Sequence, residues 1–137
     1  KSKKTSLKNA CEYAHKMLKK RCILFIVSDW IDSGYEHSLK ILATKNDVVA
    51  LRVLDDSELE LPDAGILSLQ DPETGEEVWL NSSDPKLRKA YQEIVNTEQK
   101  NLQEFFRKCS CDYLLIRTSD SYIGALRKFF TLREKRR

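Results

Sequence analysis

Residues 23–27, Ile-Leu-Phe-Ile-Val, form the most apolar run in the chain, and Ser28, Asp29, Trp30, Ile31, Asp32, Ser33 and Gly34 follow at once. Five continuous apolar residues bounded by turn-forming ones read as a strand buried on both faces, the habit of a parallel sheet in an α/β domain. Ligands of such sheets collect beyond the carboxyl ends of the strands. Ser28 and Asp29 stand at that end.

The surrounding pattern fits the same architecture. Leu7, Ala10, Cys11, Ala14, Met17 and Leu18 recur at helical spacing, which predicts a helix over residues 6–20 with Thr5 or Ser6 as its cap. Ser33 and Glu36 have the Ser-x-x-Glu spacing of a capping box, so a second helix is expected over 35–44, burying Leu39 and Leu42. Residues 48–53 are the next β-rich run, between Asn46-Asp47 and Asp55-Asp56. Strand, helix, strand is by default a right-handed parallel unit.

Beyond Leu61 the pattern changes. Pro62 and Gly65 punctuate the chain, and two short apolar runs, 66–69 and 77–80, flank Asp71-Pro72-Glu73-Thr74-Gly75-Glu76, a hairpin signal. Asp84-Pro85 opens a long helix, with Leu87, Tyr91, Ile94, Leu102, Phe105 and Cys109 as an apolar stripe that lapses between Asn96 and Asn101. A helix of roughly 24 residues spans about 36 Å, more than a small sheet requires, so its polar middle should face solvent. A last strand is expected over 113–116. A last helix from about Asp120 should turn Ile123, Leu126, Phe129 and Phe130 inward.

With 137 residues and 41% hydrophobic content, the chain has the size of one compact domain. Its net charge of +3, from 24 basic and 21 acidic residues, reads as spread along the whole chain with only the ends biased, and gives no sign of a polyanion-binding protein. The basic ends, Lys1, Lys3 and Lys4 at the start and Arg133, Lys135, Arg136 and Arg137 at the finish, read as solvated tails. No run approaches the roughly 18 apolar residues of a membrane span, and no signal-peptide core follows the basic start. Cys11, Cys22, Cys109 and Cys111 lack the paired CxxC spacing of a zinc site and read as free thiols, so a cytoplasmic protein is expected. The chain opens Lys-Ser-Lys-Lys without an initiator methionine, which reads as an excised piece or a processed product.

Several segments, taken in order, carry a resemblance. Thr5-Ser6-Leu7 opening a helix, Ile26-Val27-Ser28-Asp29-Trp30 ending a strand, Asp47-Val48-Val49-Ala50-Leu51-Arg52-Val53, Glu60-Leu61-Pro62-Asp63-Ala64-Gly65 and the Asp71 to Glu76 hairpin motif resemble the carboxyl-terminal part of a bacterial family, domain of unknown function 58, which has a von Willebrand factor A-like fold. The resemblance implies an α/β fold: a partial von Willebrand factor A-like, Rossmann-like three-layer sandwich with a mostly parallel sheet and an inserted β-hairpin. Residues 1–137 would then be a single domain, the carboxyl-terminal fragment of the complete one.

Domains of that fold build a metal-ion-dependent adhesion site from an Asp-x-Ser-x-Ser loop, a threonine and an aspartate. By resemblance Thr5 takes the place of the threonine and Asp29 that of the third-loop aspartate. The first loop is absent: Asp55-Asp56-Ser57-Glu58-Leu59 stops one serine short and follows the wrong strand. A hard divalent cation such as Mg²⁺ takes about six oxygen ligands, so the site is incomplete in this chain and no cofactor is expected on it alone, with Mg²⁺ reserved for the complete protein. Read without the resemblance, Thr5 is a helix cap, Asp29 a turn residue and Ser28 an ordinary strand-end hydroxyl.

Two functions from different classes follow. The resemblance implies a non-enzymatic protein-interaction domain, metal-dependent when complete, acting with a MoxR-type AAA ATPase. The alternative is a Mg²⁺-dependent phosphohydrolase or nuclease in which Asp29, Asp32, Asp55 and Asp56 converge on metal ions. Against it, the chain has no Gly-rich phosphate loop or nucleophile elbow, and Asp29-Trp30-Ile31-Asp32 lacks Asp-x-Asp spacing. His15 and His37 have no partner at ligand spacing and read as surface residues. Without the strand that carries the first loop, the Ile23 to Ser28 strand is expected to be an open apolar edge that self-associates by strand addition or is covered by local rearrangement.

Overall fold

The computed structural model describes residues 5–71 and 74–136. The basic-tail residues Lys1, Lys3, Lys4 and Arg137, and Pro72 and Glu73 of the hairpin motif, lie outside the described residues. The chain forms two compact units, one running through Leu54 and resuming at Leu102, the other spanning Asp55–Asn101.

The first unit contains α1 (Leu7–Met17), β1 (Ile23–Ser28), α2 (Glu36–Lys45), β2 (Asp47–Leu54), the end of a helix that starts in the second unit, β5 (Asp112–Arg117) and α5 (Tyr122–Lys135). Its strands lie in the order β1-β2-β5, and both pairings are parallel, with Leu24 beside Val48 and Ala50 beside Tyr113. Side chains alternate across a sheet. One face carries Leu24, Ile26, Val48, Ala50 and Tyr113, which join Leu7, Cys11, Leu39, Leu42 and Phe106 in a single core cluster. On the other face α5 packs: Phe130 meets Phe25 edge-on at 5.9 Å, and Arg133 bonds Asp47 and Asp112.

The strand buried on both faces is β2, whose Val48, Val49 and Ala50 are inaccessible, and not β1 as its apolar run predicts. β1 lies at the sheet edge. Leu24 and Ile26 are half-buried, while Ile23, Phe25 and Val27 on the opposite face are exposed, Val27 at 63%. A five-residue apolar run reports demand for burial and not its supply, because the cover comes from elements distant in sequence.

Helix ends correct two further expectations. Ser6, not Thr5, caps α1: its hydroxyl accepts from the Asn9 amide at 3.2 Å, and the helix ends at Met17 because Leu18 is already extended. The Ser33–Glu36 box does not form. Tyr35 holds the position before α2 in helical conformation without a side-chain cap, and the Ser33 amide is taken by Asp32 at 2.8 Å. In α5 the stripe turns only Leu126 and Phe129 partly inward; Ile123 and Phe130 are exposed.

The second unit contains α3 (Asp56–Leu59), β3 (Ile66–Gln70), β4 (Glu77–Asn81) and most of α4 (Pro85–Lys108). The helix α3 is unforeseen, and a capping box builds it: Asp55 accepts from backbone amides of the first turn while Glu58 accepts from the Asp55 amide at 2.8 Å. The antiparallel hairpin forms with Ile66 opposite Asn81 and Gln70 opposite Glu77. Its base is fixed by Ser82, fully buried, whose hydroxyl donates to the Gly65 carbonyl at 2.5 Å and accepts from the Ala64 amide at 3.0 Å. Gly65 has φ +71, a left-handed conformation that glycine adopts without steric cost. The long helix begins at Pro85, and its polar middle is exposed; so is Ile94. No described helix is long and apolar enough to cross a membrane.

Two outcomes test this core. Arg133 is the shared cation of Asp47 and Asp112, with only 14% of its side chain accessible. Arg133→Ala should cost about 2 kcal/mol, above an exposed pair and below a fully buried one, because it removes the cation shared by two neighbouring carboxylates and leaves Asp112 only the exposed Arg136 at 3.6 Å. Urea unfolding checks this as a lower midpoint at unchanged slope, and a shift under about 0.5 kcal/mol would show the bridge to be ornamental. The second outcome concerns alkaline pH. Burial, with smaller contributions from Cys109 and Asp112, pushes the Cys111 thiol from 9.0 up to about 12. Burial, with Glu36 adding, pushes the Tyr35 hydroxyl from 10.0 to about 12. Both groups are neutral in the fold and ionise earlier when unfolded, so their contribution is intact below pH 9.0 and is lost as pH rises toward about 12. Stability should fall over that window, and Cys111→Ala should flatten the decline.

Candidate functional site

The loop after β1 is organised by Trp30. It has φ +61, a conformation costing a non-glycine residue about 1–2 kcal/mol. Burial repays that several times over, since an indole covering about 200 Å² gains on the order of 5 kcal/mol. Trp30 is 3% exposed, its ring meets Phe106 at 4.8 Å and Tyr35 at 5.4 Å edge-on, and its indole N–H donates to the Leu51 carbonyl at 3.2 Å. The Ser28 hydroxyl accepts from the Trp30 amide at 3.1 Å, which makes it a strand-end group closing the turn.

With Trp30 turned into the core, its neighbours Asp29 and Ile31 are left exposed. The Asp29 carboxylate accepts from the Ile31 amide at 3.2 Å, an Asx turn, while the Asp29 carbonyl accepts from Arg52 Nε at 2.9 Å. Asp32 joins two segments. One of its carboxylate oxygens accepts from the Leu7 amide and the other from the Ser33 amide, each at 2.8 Å. Leu7 is the first residue of α1, so the exposed Thr5 just before it belongs to a helix start that is tied to the loop carrying Asp29. The two residues singled out for the metal site are thus presented by segments joined through a third residue, Asp32.

Arg52 escaped the sequence reading. It is 3% exposed within β2 and holds the loop by the Asp29 carbonyl. The signal available was a lone cation inside an otherwise apolar run, since a strand buried on both faces tolerates a charge only where it is hydrogen-bonded or paired. Asp55 and Asp56 belong to the second unit, where Asp55 caps α3. His37 is exposed. His15 is half-buried in the last turn of α1, and its Nδ1 has no hydrogen-bond partner among the described residues. All four cysteines are free, Cys11 and Cys111 buried. Among the described residues no three His, Cys, Asp or Glu side chains are grouped to hold a metal.

The chain is 29% identical over 118 residues to uncharacterized proteins of Mycobacterium bovis and Mycobacterium tuberculosis, covering 85% of this chain and 37% of theirs. An uncharacterized protein of Mycobacterium avium is 28% identical over 118 residues and is covered over 69% of its length. The chain thus spans little more than a third of the first two relatives. The crystal structure of the conserved hypothetical protein BatB from Bacteroides thetaiotaomicron is similar in fold, with a TM-score of 0.51 at 17% identity, over 98% of this chain and 62% of that one. Residues 1–101, from the segment leading into α1 through the Asp29 loop and the hairpin to the middle of α4, match one family throughout, and the chain belongs to it: Protein of unknown function DUF58.

Proposed function

We propose that the chain is part of a non-enzymatic protein-interaction domain of the von Willebrand factor A-like type, whose carboxyl sheet edge engages a protein partner, a MoxR-type AAA ATPase in the cytoplasm. The observation that carries this reading is the Asp32 carboxylate, which ties the start of α1 to the loop after β1 and leaves Thr5 and Asp29 both exposed beside that tie. An edge with two exposed oxygen-bearing residues suits recognition of a partner's polar group. The partner class is what the resemblance read from the sequence implies; the family itself is one of unknown function.

The oxygen set limits what the chain does alone. Thr5 and Asp29 offer one hydroxyl and one carboxylate, while the Ser28 hydroxyl already serves the Trp30 amide, against about six ligands for Mg²⁺. These residues by themselves do not fit the ion. In the complete protein the ion would supply an open coordination position for an acidic partner group. The acidic loops lend the phosphohydrolase alternative no support, since Asp32 serves two backbone amides and Asp55 a helix cap.

The same reading assigns the open edge of β1 to strand addition by a second copy. Antiparallel pairing centred on Phe25 sets Ile23 opposite Val27 and Arg21 opposite Asp29, so the segment complements itself in both hydropathy and charge.

Two measurements check the proposal. Calorimetry with Mg²⁺ on the protein expressed with its upstream coding sequence should show binding that Asp29→Ala weakens about tenfold or more, and unchanged tight binding in that variant sinks the metal role. Metal-dependent turnover of p-nitrophenyl phosphate abolished by both Asp29→Asn and Asp55→Asn would overturn the non-enzymatic reading. For the edge, sedimentation should show a dimer that Phe25→Lys dissociates, and a monomer at every concentration rejects strand addition.

A further inference from the structure

Charge is not spread evenly along the chain, as its totals imply. Between Arg52 and Lys86 lie ten of the 21 acidic residues and not one lysine or arginine. This stretch builds α3 and the β3–β4 hairpin of the second unit. In that acidic setting the hairpin keeps one face open. Ile66, Ser68 and Gln70 of β3 share it with Glu77, Trp79 and Asn81 of β4, and all six are exposed, Ile66 at 71% and Trp79 at 66%. Trp79 stands directly opposite Ser68, one pair along from Ile66, so the two large apolar groups are diagonal neighbours. Leu69 and Val78, a cross-strand pair on the opposite face, are exposed as well.

Such a surface is costly in isolation. A two-stranded ribbon gains little from leaving a tryptophan and an isoleucine in water, and clustered apolar side chains rimmed by polar ones mark contact sites. The rim is specific in sign: Glu77 lies on the open face, hydrogen-bonded by Ser68, and Asp71 and Glu76 flank the turn, the Asp71 amide donating to the Glu76 carbonyl and the Asp71 carbonyl accepting from the Gly75 amide. Anionic lipid and nucleic acid are repelled by such a rim. A segment carrying arginine or lysine beside apolar groups is matched twice, through the carboxylates and through a cation over the Trp79 ring.

We propose that the open face of the β3–β4 hairpin is a docking site for a basic, apolar-bearing segment of a protein partner, with Trp79 as the anchor. This surface is independent of the Thr5–Asp29 edge, and either can fail without the other.

The test uses the full chain and a short synthetic peptide that alternates arginine and leucine. Trp30 is buried and Trp79 exposed, so a blue shift of the emission on titration reports the hairpin. Saturable binding is expected, weakened about tenfold by Trp79→Ala, several-fold by the Glu76→Gln, Glu77→Gln double variant, and unaffected by Asp29→Ala. These positions are exposed, so the variants should fold, which the unfolding midpoint verifies. A peptide with serine for leucine should bind about tenfold more weakly, and one with glutamate for arginine not at all. Equal binding by the serine peptide, undiminished binding by Trp79→Ala, or no binding overturns the proposal. A self-associated chain that Trp79→Ala dissociates would overturn it too, by making a second copy the occupant.

Discussion

The carboxyl edge of the sheet depends on one side chain being forced inward. Trp30 follows the last strand residue by two positions, where alternation alone would set it on the face of Leu24 and Ile26 but past the end of the sheet. Its left-handed backbone instead drops the indole against Phe106 and Tyr35, and the N–H finds the Leu51 carbonyl. One residue thereby connects β1 to β2, to the start of α2 and to the end of α4. The strain is small beside the burial it permits, and the exposure of Asp29 and Ile31 is its by-product. The edge presents oxygens to solvent because its most apolar neighbour has been withdrawn.

Local chemistry made much of the fold readable. The range of β1, the hairpin, the 24-residue span of α4 with proline at its first position, and the parallel run of β2 all follow from signals contained within a few residues. Burial was less readable, for a physical reason. Whether a strand is central depends on what pairs with it, and β2 rather than β1 received strands on both sides. Caps show the same division. Ser33 and Glu36 have the right spacing, but Asp32 reaches the Ser33 amide first, whereas Asp55 and Glu58 complete their box and build α3.

At the candidate site the sequence placed Thr5 and Asp29 through resemblance, yet the groups that fix their setting were hidden. Asp32 and Arg52 act across 25 and 23 residues of chain, through the Leu7 amide and the Asp29 carbonyl. No window of local spacing contains such a contact. A buried arginine in a β-strand is nevertheless a legible anomaly: its cost in an apolar setting demands an acceptor, and the nearest open chain is the loop at the neighbouring strand's end. Reading anomalies of charge against hydropathy would have found Arg52 where motif spacing could not.

The acidic stretch obeys the same rule in reverse. Totals of 24 and 21 average away a segment in which ten acids occur without a base. Folded, that segment spends some carboxylates on structure, as Asp55 and Glu58 do in capping α3, while Glu77 stays on the open face of the hairpin beside the exposed Trp79. An aromatic ring left in water gains nothing for its own ribbon. Mutual repulsion among carboxylates around it destabilises the unit further, by amounts that fall with salt. Both costs are relieved by the same event, the arrival of a cation on an apolar stem, and that coincidence distinguishes the hairpin from a merely solvated loop.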